Sequence, residues 1–144
     1  MVKTLKAYGV LYTVGEKIGT SDYTIDKSDL ESIVAASPKK VPLMLDMTQF
    51  NDIKNVMGNA EMTLNPDGRL EVTLTLNETG RRVYEPVLQS IKGRETLRLG
   101  FMLRGVIMDK EAKKVTNGYI SLITLDETCL GGHIYKYGWE DSNE

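Results

Sequence analysis

The stretch Arg69–Leu76 constrains the fold more than any other part of the chain. Leu70, Val72, Leu74 and Leu76 alternate with Glu71, Thr73 and Thr75, so an extended strand there has one apolar and one polar face. Immediately before it, Pro66, Asp67 and Gly68 supply a turn: proline restricts φ and glycine accepts a positive φ. The turn makes residues 55–64 the other arm of a hairpin.

The remaining segments extend this pattern. Residues 5–14 read as a strand with a bulge site at Gly9, and residues 15–20 as a loop. Ser28 and Glu31 have capping-box spacing, and Leu30, Ile33 and Val34 follow at helical intervals. Ser37 before Pro38 ends that helix, because the residue preceding a proline avoids the α region. Residues 41–47 form a compact apolar run with the single charge Asp46, which reads as a buried strand. A second helix ends near Ile91, with Val83 and Val87, and Tyr84, Leu88 and Ile91, as its apolar stripe. Pro86 then belongs in its first turn or kinks it, and Gly93 stops it. Two long strands, 96–108 and 115–125, flank the charged turn 109–114, and a last short strand spans 128–135 around Gly131 and Gly132. Six to seven strands with two helices predict a single α+β domain over residues 1–144. Its sheet is expected to be mainly antiparallel and curled or barrel-like, with a short acidic tail from about 138 to 144 left to solvent.

Composition narrows the function classes. The 144 residues carry a net charge of −2, with basic and acidic side chains interleaved, so nothing resembles the basic stripe of a phosphate-neutralising nucleic-acid binder. No apolar run approaches the roughly 18 residues of a membrane span, and the N-terminal segment lacks the apolar core of a signal peptide. One cysteine, Cys129, excludes an intramolecular disulfide and suits a reducing compartment. The expectation is a protein made in a cytoplasm, without a membrane or nucleic-acid partner.

Chemical constellations are sparse. Cys129 and His133 are the one cysteine and the one histidine, too few for a metal centre. As a nucleophile pair on a strand they would stand about 13 Å apart at ~3.3 Å rise per residue, unless Gly131 and Gly132 fold them closer. No phosphate-binding glycine loop occurs, and Ser121 lies mid-strand, where a pleat-facing polar group is the simpler reading. No cofactor is expected.

The order of several segments resembles the prohead proteases of tailed phages, maturation serine proteases related in fold to herpesvirus assemblin. AYGVLYTVGE resembles their opening strand and DYTIDKSDLESIV the approach to the first helix. VPLMLDMT resembles the apolar strand that ends in a His-Asp pair, and VMGNAEMTLNPDGRLEVTLTL the glycine-containing strand and hairpin. VYEPVLQSIKGRETLRLGF resembles the helix, glycine and L-S-x-G-F strand, and ISLITLDETCLGG the closing strand with its Glu and Ser. The similarity covers about residues 5–132. It places the family's catalytic His on Met47, the following Asp on Thr48, the nucleophilic Ser on Arg98 and the acidic position on Glu127, with Thr128 and Cys129 beside it.

Those positions are degenerate. Methionine has no titratable proton, and arginine stays protonated and is no nucleophile. Losing both nucleophile and base from a triad removes orders of magnitude in rate. Thr96, on the same strand face as Arg98, offers a relocated hydroxyl, whereas Asp46 points to the opposite strand face from Met47. Arg98 itself either pairs with a carboxylate such as Glu127, lies on a solvated surface or meets a partner directly. The resemblance therefore implies an inactive pseudoprotease in the bacteriophage virion: a decoration, cement or assembly protein that binds the major capsid protein, with a homo-oligomer as a further option. The alternatives are a working maturation protease with an atypical site and an unrelated α+β binding module.

Overall fold

The chain opens with strand β1 (Lys3–Thr13) in the computed structural model, which describes residues 3–44, 56–89, 98–126 and 132–141. Leu5 and Ala7 point into the core and Lys6 and Tyr8 away from it. Helix α1 (Lys27–Ala36) follows and buries Leu30 and Ile33. The capping box expected at Ser28 and Glu31 does not form. The helix starts two residues earlier than that box implies, behind Asp26, whose carboxylate accepts a 2.9 Å bond from the Lys114 ammonium and makes no cap bond. The helix ends where Pro38 requires, with Ser37 in extended backbone at φ −79° and ψ 153°. The Ser37 hydroxyl donates to the Ile33 carbonyl and accepts from the Ile120 N–H at 2.8 Å.

Next come β2 (Val41–Met44), β3 (Val56–Leu64) and β4 (Arg69–Leu76). The hairpin of β3 and β4 forms as its sequence predicts. Gly68 takes φ +90° in the turn, and Leu70, Val72, Leu74 and Leu76 are all buried. Helix α2 (Glu78–Gln89) is capped by Asn77, whose Oδ1 accepts the Gly80 N–H at 2.8 Å. The same side chain donates to the Val56 carbonyl, so one amide both caps α2 and ties it to β3. Tyr84 is buried, but Val83 is 38% exposed, so the apolar stripe is narrower than expected. Helix packing through Gly80 and Tyr84, four residues apart, selects a face that excludes Val83. Val87, Leu88 and Ile91 lie outside the residues whose side chains are described. Pro86 is the ninth residue of α2, past the first turn, and it deprives the Arg82 carbonyl of its intrahelical donor.

The two long strands expected after α2 are each broken. They appear as β5 (Arg98–Arg104) and β6 (Ile107–Asp109), then β7 (Lys114–Thr116) and β8 (Tyr119–Asp126). Gly105, Asn117 and Gly118, at φ +69°, +60° and +96°, cannot continue a strand. The last strand is longer and later than expected: β9 is Gly132–Asp141. Residues 138–141, read as a solvated tail, pair with β1 instead, with Lys3 opposite Asp141 and Leu5 opposite Trp139. Tyr8 donates to the Glu140 carboxylate across the same pair.

Seven strands close into one barrel in the order β1-β4-β3-β2-β8-β5-β9, while β6 and β7 form a separate two-stranded ribbon. The fold class read from the sequence is thus the observed one, a single-domain, mainly antiparallel closed barrel with two helices. Its parallel pair is β2 with β8. Closure depends on a tight approach at Leu99: a Cβ on Gly132 would stand 2.4 Å from the Val10 carbonyl oxygen and 2.8 Å from the Leu99 Cβ. The irregularity expected near Gly9 is present, but the extra residue is Tyr135 on β9, and β1 has its own at Leu11.

Candidate functional site

Four strands define the end of the barrel at which Arg98 lies. Because β2 and β8 are parallel, with Leu43 opposite Ile123 and Met44 opposite Thr124, both terminate at the same end. Strand β5 runs antiparallel to β8 and begins there, with Arg98 opposite Asp126. Strand β9 also starts there, with His133 opposite Arg98 and Gly132 opposite Leu99. Neighbouring strands lie about 4.8 Å apart, so the span from β2 across β8 to β5 is about 10 Å.

Period-two alternation sets what Arg98 can do. Leu99 is buried against Leu125 in the barrel interior, so Arg98, one residue earlier, faces outward and is half-buried. Directly opposed residues of an antiparallel pair share a face, which puts exposed His133 beside Arg98 on the outer surface. Asp126 is the register partner of Arg98 on the other side. A permanently charged, planar guanidinium in this row can bind a carboxylate or other oxyanion bidentately, but it cannot attack a carbonyl carbon.

Of the sequence-derived site residues, Arg98 is thus placed at the first position of β5. Met47, Thr48, Asp46, Thr96, Glu127, Thr128 and Cys129 lie outside the described residues. Gly100 and Phe101 lie in β5, and the Phe101 ring meets Tyr12 edge-on at 6.1 Å and 80°. Ser121 is half-buried and its hydroxyl donates to the Met102 carbonyl at 3.2 Å, which fits its reading as a pleat-facing polar group. Among the described residues no three metal-ligating side chains converge. The proximity of His133 to Arg98 had no signal in the sequence: 35 positions separate them, and only the closure of the barrel makes them neighbours.

Elsewhere, a shallow cleft of about 400 Å³ on the outside of β2, β3 and β4 is lined by Lys40, Pro42, Gly58, Asn59 and Thr75, and another of about 380 Å³ lies between α1 and the hairpin turn. Neither includes Arg98. Among the described residues, the Tyr8 phenol is pushed up to about 12, first by its hydrogen bond to the Glu140 carboxylate and then by burial. Tyr12 and Tyr135 are also raised, each mainly by burial. Tyr8 ties β1 to β9 through Glu140, Tyr12 reaches the Glu16 carbonyl in the following loop, and Tyr135 donates from β9 to the Glu71 carboxylate on β4. No family model matches the chain, and no curated protein matches it.

Proposed function

We propose that the chain is a catalytically inert protein of the prohead-protease type, retained in a phage head as a structural component that binds the major capsid protein. The observation that carries this reading is Arg98, standing where the resemblance requires a nucleophilic serine. It sits at the barrel end where β2 and β8 also terminate. In the sequence Met47 follows the end of β2 by three residues and Glu127 follows β8 by one.

Chemistry then turns the resemblance into a binding role. Acyl transfer to a side chain needs a hydroxyl or thiol with a base in hydrogen-bond reach. Arg98 and Met47 supply neither, and the shaped outer surface around β5, β8 and β9 is what remains available. Arginine is over-represented at protein interfaces, where its fork binds carboxylates on the partner.

The test is to co-express the chain with the capsid protein of the phage that encodes it, and to measure intact masses in purified heads. Full-length chain in the particle beside uncut capsid protein is the expected result. Capsid protein shortened only when this chain is present, or heads that lack the chain, overturns the proposal. The double substitution Met47→His with Arg98→Ser is the companion: cleavage gained by that variant alone identifies these positions as a former protease site.

A further inference from the structure

We infer that Asn117 is a self-modifying position: the backbone nitrogen of Gly118 displaces its side-chain amide, and water opens the resulting ring to aspartate or isoaspartate. This inference does not rest on the head-protein reading.

The fold itself calls for the reactive pair. Strands β7 and β8 are joined by two residues, Asn117 and Gly118, yet they do not pair with each other: β7 pairs with β6 in the ribbon, and β8 lies in the barrel between β2 and β5. An Asn-Gly dipeptide usually turns a hairpin between paired strands. Here it is the link at which the chain leaves one sheet for another. Asn117 stands at φ +60°, a region that glycine and short polar side chains visit most readily. Gly118 is at φ +96°, and a Cβ there would stand 2.6 Å from the Arg104 carbonyl oxygen and 2.7 Å from Val106 Cγ1. Position 118 therefore requires glycine and position 117 favours asparagine. Together these demands set an unshielded backbone nitrogen next to a side-chain amide carbon.

The four described asparagines differ in what restrains them. Asn65 precedes Pro66, whose nitrogen carries no proton, and its amide donates to Glu71 at 2.6 Å. Asn77 is held twice, by the Val56 carbonyl and by the Gly80 N–H. Asn59 is half-buried in β3, with Pro42 on one side and Thr75 on the other. Asn117 is exposed and lies in no strand or helix, and no hydrogen bond among the described residues holds its amide. No other asparagine of the sequence precedes a glycine.

In the first step a bond forms between the Gly118 nitrogen and Asn117 Cγ while the Cγ–Nδ2 bond breaks. The Gly118 amide proton departs with the NH2 group as ammonia. Water then cleaves one of the two C–N bonds of the succinimide. Cleavage at Cγ gives aspartate; cleavage at the main-chain carbonyl carbon gives isoaspartate, whose backbone runs through one extra carbon. Either product adds one negative charge to a chain whose net charge is −2. The result is a charge mark that accumulates with age, without an enzyme, where the ribbon joins the barrel.

The test incubates the full chain and a free peptide of residues 114–121 in parallel at mildly alkaline pH. Intact mass and peptide mapping that separates aspartate from isoaspartate are the readouts. The folded chain is expected to exchange one NH2 for one OH at Asn117, at a rate within about tenfold of the peptide's and at least about tenfold faster than at any other asparagine. Asn117→Gly, which retains access to positive φ, is expected to abolish the exchange. A folded chain that converts more than about tenfold slower than the peptide, conversion of another asparagine at a comparable rate, or an exchange that persists in Asn117→Gly overturns the inference.

Discussion

Gly80→Ala sets two physical effects against each other at a single position. In an isolated helix, replacing an interior glycine by alanine stabilises by about 1 kcal/mol. Gly80 sits in the first turn of α2, where that rule predicts a gain. The packing predicts the reverse. A Cβ at Gly80 would stand 2.0 Å from the Met57 carbonyl oxygen and 3.0 Å from its carbon, and both are backbone atoms of β3 that cannot rotate away. Reaching the roughly 3.3 Å of a tolerated C–H···O contact requires the helix to withdraw by about 1 Å. Withdrawal stretches the 2.8 Å bond between Asn77 Oδ1 and the Gly80 N–H, a cap of a kind worth about 1 kcal/mol. It also lifts buried Tyr84 off the barrel, and overpacking of this sort costs about 1–3 kcal/mol. Setting about 3 kcal/mol of loss against about 1 kcal/mol of gain leaves a net destabilisation of about 2 kcal/mol. For a chain of 144 residues that lowers the melting temperature by about 6–8 °C, and at about 2 kcal/mol per molar it moves the urea midpoint by about 1 M. Thr79→Ala, one residue earlier and exposed, is the control and should change stability by no more than about 0.5 kcal/mol. A Gly80→Ala protein as stable as the unsubstituted chain would show that α2 does not dock through this glycine.

Two other measurements probe the barrel. Leu74→Ala, which empties a fully buried position on β4, should cost about 2–5 kcal/mol in urea unfolding, whereas Thr63→Ala on the outer face of β3 should stay within about 0.5 kcal/mol; equal costs would contradict the inside-outside assignment. The Tyr8 phenol is raised from 10.0 to about 12 in the folded chain, so its contribution is complete below pH 10 and is lost as pH climbs through about 12. Tyr8→Phe should therefore flatten the fall in urea midpoint over that alkaline window, and an unchanged slope would mean that Glu140 does not hold the phenol protonated.

The legible parts of the fold were those in which local sequence and tertiary demand agree. The β3–β4 hairpin could be read because alternation and turn residues both act over a few positions, and α1 ended at Ser37 because Pro38 forces it locally. The misread parts depended on distant residues. The cap read at Ser28 does not form because α1 begins at Lys27, which puts Ser28 inside the first turn, and the Asp26 carboxylate at the cap position meets Lys114, 88 positions away. The final strand ran longer than its own pattern suggested because β1 offers partners as far as Lys3 opposite Asp141, and pairing overrides the low strand preference of an acidic terminus. Gly105 and Gly118 could have marked the breaks between β5 and β6 and between β7 and β8, since isolated glycines in strand patterns often signal such departures. Of the site, the sequence identified Arg98 as a position of interest, but its neighbours on the outer surface follow only from strand order.

The same geometry explains how such a barrel tolerates arginine at position 98. Core stability resides in inward-facing residues, and Leu99, Leu125, Leu43 and Ile123 are all buried beneath this end of the sheet. Arg98 has the opposite parity, and its long side chain can lie along the surface with its charge toward water, so placing arginine there leaves the packed interior untouched. On the proposed reading, replacing a serine at this position removes the nucleophile without disturbing the barrel. The separation has a consequence for experiment: Arg98→Ser alone should change stability by no more than about 0.5 kcal/mol while Leu99→Ala, one residue along the strand, should cost about 2–5 kcal/mol. A large loss from Arg98→Ser would mean that the guanidinium is part of the structural framework at this end of the barrel, and the scaffold could not then have exchanged its chemistry for binding at so little structural cost.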